Sequence, residues 1–138
     1  MIKTLKRFKD AQNKMYNKAY AEIKNGKKVN HWIWYIFPQL EQLGVSSTSK
    51  YYGIKDLNEA KRYYKNEYLR NKLLNICQAL LDVNDKTIDE IVGYDDIKVH
   101  SCITLFLQVD ENNTILLNVL NKYFNNELDV NTLNVLGV

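Results

Sequence analysis

Chain breakers are scarce in this sequence. Among 138 residues there are one proline and five glycines. A many-stranded sheet needs turn residues every few positions, so this scarcity argues against a β fold and for helices. Cysteine is scarce as well: only Cys77 and Cys102 occur, with no CxxC pair, and two such residues do not make a zinc site. No apolar stretch approaches the roughly 20 residues that span a bilayer. The opening MIKTLKRFKD has no apolar segment of the kind a secretion signal carries. The expectation is a reduced, cytoplasmic protein with two buried thiols and no membrane contact. A Walker loop, GxGxxG, HExxH and a nucleophile elbow are all missing. Standard nucleotide hydrolysis, dinucleotide-dependent redox and zinc chemistry are therefore unsupported, and no cofactor is expected.

What is present is a chain with 46% hydrophobic residues and a net charge of +3. That suffices for a globular core in one domain spanning 1–138. The charge is uneven. Residues 1–28 hold nine Lys/Arg against two acids, net +7, and the remainder holds ten against fourteen, net −4. A basic end can attract phosphate or nucleic acid, and it can equally be a solvated helix face.

Apolar residues at helical spacing predict a first helix over 4–25, with Leu5, Phe8, Ala11, Met15, Ala19 and Ile23 as its buried stripe and Gly26 ending it. HWIWYIFPQL at 31–40 is too rich in large rings for a surface loop. Asn30 can cap a short helix there, which Pro38 ends near Phe37. The 41–49 stretch reads as loop and 51–54 as a short helical turn. Asp56 with Glu59, Asn66, and Thr87 with Glu90 are start signals for helices over 57–65, 67–82 and 88–92, the last stopped by Gly93. Asp95 or Asp96 then opens a helix to about Val109 that is apolar on nearly every side, which its neighbours must bury. Helices over 114–124 and 131–136 close the chain. The fold class is all-α: about seven helices around a buried central helix at roughly 96–109.

Three groups of residues could carry chemistry. His31 at the mouth of the aromatic run and Trp34 within it can line a pocket that stacks a planar ring, and Tyr51, after the serine-rich loop, is a further pocket candidate. Their plain alternative is core packing. Asp96, Lys98, Ser101 and Thr104 make a polar patch on the central helix. Ser101 and Thr104 are three apart and share a face. They can bind a ligand, or bond back to carbonyls one turn earlier. Glu90 and Asp95 straddle the Gly93 turn as paired carboxylates. They can divide general-acid and general-base duties, or simply cap helices.

Four stretches carry a resemblance: HWIWYIFPQLEQLG at 31–44, the SxxSKYYGI pattern ending at Ile54, EAKRYY in the next helix, and DDIKVHSCITLF at 95–106. Together they resemble the uncharacterised family known as domain of unknown function 1810, across nearly the whole chain. The resemblance implies a multihelical fold around a buried central helix. Where that family's motif has two adjacent serines, Cys102 replaces the second here, and His100 stands where arginine or another polar residue is expected. YYKNEYLRNKLLN followed by IDEIVGYDD is also similar to a helix and an E-x-x-x-x-D turn of the superfamily that processes NAD- and ADP-ribose-related N-glycosides. Glu90 and Asp95 match that spacing, but Ile97–Lys98 stands where the superfamily carries WG.

Two functional expectations follow. The first is binding or N-glycosidic hydrolysis of an ADP-ribose-like small molecule. Trp34 would stack a ring, His31 and Lys98 would bind phosphate or ribose, and Glu90 or Asp95 would be catalytic. The second is a non-catalytic module whose basic first helix contacts nucleic acid or an acidic partner.

Overall fold

A computed structural model of the protein describes residues 3–138. α-Helices form at Lys6–Lys24 (α1), Ile33–Ile36 (α2), Ser47–Tyr51 (α3), Leu57–Lys65 (α4), Glu67–Asp82 (α5), Ile88–Val92 (α6), Asp96–Leu107 (α7), Thr114–Phe124 (α8) and Val130–Leu136 (α9). Tighter 3-10 turns occupy Glu41–Leu43 and Gly93–Asp95. Among the described residues no strand is formed, only an isolated parallel bridge between Leu40 and Ile54. No described helix is long and apolar enough to cross a membrane.

The helix starts are built by side chains that satisfy the first free N–H groups. Asp56, Asn66, Asn113 and Asp129 each accept from the backbone N–H three residues on. Glu90 reaches back to the Thr87 N–H at 2.8 Å. Gly26 ends α1 at φ +76°, the left-handed conformation that favours glycine. α1 packs on α5, α5 on α8, and α8 on α7. α7 is the central helix: eight of its twelve residues are buried, and α4, α6, α8 and α9 cover it. From Ser101 to Leu107 no face remains for water, which accounts for the nearly continuous apolar sequence there, while the first turn stays open with Ile97 exposed.

Three local expectations change. Asn30 does not cap α2; its backbone and amide N–H groups bond Glu22 instead, and Trp32 precedes the helix without a side-chain cap. The turn expected at 51–54 lies earlier, at Ser47–Tyr51, because Ser46 and Ser49 form a reciprocal cap there. Ile54 is drawn into the bridge with Leu40, where any Cβ on Gly53 would collide with Glu41. Asp95 makes no cap bond to α7; its carboxylate is held in ion pairs.

The buried stripe of α1 also differs from the apolar pattern. Arg7, Gln12, Tyr16 and Glu22 are buried, while Leu5, Ala11 and Met15 are only half-buried. A polar group is tolerated there because it is paired. Arg7 bonds Glu59 at 2.9 Å and the carbonyls of Tyr51 and Gly53 at 2.9 and 2.8 Å. Gln12 Nε2 donates to the Tyr35 carbonyl at 2.7 Å and the Tyr63 hydroxyl at 3.1 Å, while its Oε1 is buried with no partner among the described residues. Burial pushes the Glu22 carboxyl up, but it accepts from Val29 N, Asn30 N, Asn30 Nδ2 and Trp32 Nε1, and these bonds win, holding it at about 2.

Candidate functional site

The loop after α2, the start of α7 and the start of α9 enclose a cleft of about 440 Å³. Trp34 and Gln39 line it from α2 and the segment beyond Pro38. Leu43, Gly44, Val45, Ser46 and Ser49 form a second wall. Tyr94, Ile97, Lys98 and Ser101 come from the turn before α7 and its first two turns, and Asn131 from α9. The volume lies within the range of small-molecule sites.

Each wall is held by its own chemistry. Ser46 and Ser49 spend their hydroxyls on each other and on the turn they cap, at 2.9–3.1 Å. Gly44 lies so close that a Cβ there would stand 2.7 Å from Ser49 Oγ. The Gln39 carbonyl accepts from Ile54 N at 2.8 Å, and Ile54 O accepts from Glu41 N at 2.8 Å, which pins the residue between them. Ser101 Oγ lies 3.0 Å from both the Ile97 carbonyl and Asp129 Oδ2. Asp129 also accepts from Thr132 and places its own N–H on Thr104 Oγ1 at 2.8 Å. The Ser101 and Thr104 hydroxyls therefore dock α9 onto the central helix. At the cleft edge Asp95 joins two lysines, Lys28 at 3.0 Å and Lys98 at 3.5 Å, and the Lys28 ammonium also sits 5.1 Å from the Trp32 ring centre.

The structure brings Trp34, Lys98 and Ser101 together in the cleft, with Asp95 reaching its margin through Lys98. The other candidates are elsewhere. Thr104 is fully buried, so it is a packing contact of Asp129 and not a ligand contact. Asp96 bonds the N–H of Ile97 at 2.8 Å. Tyr51 and His31 are exposed and do not line the cleft; Tyr51 packs edge-on against Tyr52 at 4.9 Å. Glu90 is exposed on α6, and its bonds from Thr87 hold its carboxyl below the usual range. Neither Glu90 nor Asp95 lines the cleft. The residues that sequence patterns missed are Gln39, Tyr94, Asn131 and Asp129. Gln39 had one signal: it is an amide inside the otherwise apolar IFPQL run.

The basic segment over 1–28 presents less free charge than its composition suggests. Arg7 is buried, and Lys3, Lys6 and Lys28 pair with Glu41, Asp10 and Asp95. Both cysteines are free and buried; burial pushes Cys77 up to about 12 and Cys102 well above its ordinary value. No group of described residues has the make-up of a metal site.

Among solved structures, the chain is similar to the conserved hypothetical protein Rv1873 from Mycobacterium tuberculosis. Identity is 36%, the TM-score is 0.94, and the match covers 97% of this chain and 96% of that one. No curated protein matches. The model of a family described as a protein of unknown function, DUF1810, matches residues 2–136. With that match over nearly its full length, this chain belongs to the DUF1810 family.

Proposed function

We propose that this protein binds a nucleotide-sugar ligand of the ADP-ribose or NAD type in the Trp34–Lys98 cleft. The observation that carries this reading is that a half-buried indole and an ammonium line one small-molecule-sized cavity. Trp34 offers a face for a planar ring, and Lys98 a point charge for phosphate. Asp95 keeps the Lys98 ammonium at the rim without consuming its three donors. Binding is better supported than hydrolysis. The cleft lining includes no carboxylate, Glu90 is engaged by Thr87, and Asp95 is shared between two lysines. In this reading the protein works in the reducing cytoplasm, in keeping with its two free thiols.

A thermal-shift titration with ADP-ribose, NAD and short oligonucleotides tests the proposal. Ligand at a hundred times its dissociation constant stabilises a fold by about 2.7 kcal/mol, a shift of several degrees. The expected result is such a shift with ADP-ribose or NAD, lost in Trp34→Ala and in Lys98→Ala. A shift given only by nucleic acid, and abolished by salt, would overturn it in favour of the basic helix.

A further inference from the structure

We propose that Gln39 is the specificity residue of this cleft and that it reads the edge of a planar ring carrying a hydrogen-bond donor beside an acceptor, as adenine does. The inference rests on the ligand-binding reading above.

The cleft's polar groups divide into those already used and those not. Ser46, Ser49 and Ser101 hydrogen-bond within the protein. Tyr94 and Asn131 are exposed, so water serves them in the free protein. Gln39 is different. It is only 8% exposed, and among the described residues its carboxamide has no hydrogen-bond partner. The small exposed part of Gln39 includes its amide, which opens on the cleft, since the one side-chain atom sealed off without a partner among the described residues is Gln12 Oε1. The two other buried residues that touch the cleft, Ser49 and Ser101, are fully engaged. The backbone of Gln39 is fixed by the Ile54 N–H, and Arg7 in turn fixes the Gly53 carbonyl next to Ile54. The backbone and the buried stem that carry the amide are thus held in advance of any ligand, which reduces the ordering cost of binding.

A carboxamide presents one acceptor oxygen and two N–H donors. Its complement is a donor adjacent to an acceptor in one plane. Adenine offers this at N6 and N7, whereas unsubstituted purine keeps the N7 acceptor but has no donor beside it. Trp34 lines the same cleft and can stack the ring whose edge Gln39 reads, while Lys98 takes the phosphate.

Equilibrium binding of AMP, purine riboside 5′-monophosphate (adenine without its N6 amine) and ribose 5-phosphate to the purified chain decides the matter. The expected result is at least tenfold preference for AMP over the purine analogue. Gln39→Leu, which keeps the side chain's bulk, should reduce AMP binding at least tenfold, to the level of the purine analogue, and leave ribose 5-phosphate unchanged. Equal binding of AMP and the purine analogue by the native chain overturns the role of Gln39 without needing the variant. So does a Gln39→Leu chain that binds AMP as the native chain does. In both cases, binding that Trp34→Ala and Lys98→Ala abolish leaves the cleft reading intact. No binding of any of the three probes, with none of ADP-ribose or NAD either, overturns both.

Discussion

Substituting Glu22 by Gln tests whether a buried carboxylate holds the aromatic segment in place. Glu22 collects four hydrogen bonds: backbone N–H groups of Val29 and Asn30, the Asn30 amide, and the Trp32 indole at 2.9 Å. Those bonds anchor the segment that leads into α2 and Trp34. They hold the folded carboxyl at about 2, against an ordinary 4.5. The folded value is the lower one, so the native state favours the ionised form. Its stabilisation is complete above pH 4.5 and is lost as pH falls toward 2. Each tenfold change in acidity is worth about 1.4 kcal/mol, so the full effect is about 3 kcal/mol. A Gln amide can replace one acceptor but turns donors toward donors. Urea unfolding followed by tryptophan fluorescence should show Glu22→Gln less stable by about 3 kcal/mol at pH 7, roughly 10 °C in Tm. The difference should shrink to about 1 kcal/mol near pH 2.5. Other carboxylates titrate in both proteins and cancel in the comparison. A difference that stays constant from pH 7 to 2.5, or no difference at pH 7, would refute the assignment.

Asp129→Ala removes the cap of α9 together with the acceptor for Ser101 and Thr132. A loss of about 2 kcal/mol is expected, with amide exchange rising across Val130–Leu136 and little change in α5. Unchanged exchange in α9 would show that Asp129 does not dock it. Cys77 and Cys102 are fully buried, with thiols pushed toward the protonated form. A thiol reagent at pH 8 should label neither in the native protein within minutes and both in urea. Fast native labelling of either would contradict their burial.

The helices that sequence and structure share are those marked by local chemistry. Asn66, Thr87–Glu90 and Gly93 announce ends through bonds made within three or four residues, and such signals need no tertiary information. The central helix was equally legible, since a run apolar on all sides has no other stable place. In the cleft, Trp34, Lys98 and Ser101 were legible as residue types in unusual company. Their convergence was not, because it requires α2, α7 and α9 to meet.

What only the tertiary structure decided was the fate of polar groups. Arg7 belongs by type to a solvated helix face, yet it is buried because Glu59 lies 52 residues away in sequence and 2.9 Å away in space. The same holds for Gln12 and Glu22, which displaced Leu5, Ala11 and Met15 from the expected stripe. Glu90 and Asp95 read as a catalytic pair by spacing, but each is claimed by a partner at hand: Thr87 for one, two lysines for the other. Gln39 was hidden by the reverse effect, for its significance lies in an amide that has no partner among the described residues and opens on the cleft. The apolar pattern along a chain is set by burial of one face and can be read locally. Whether a polar side chain is buried depends on a complementary group elsewhere, and only folding brings that group within bonding distance.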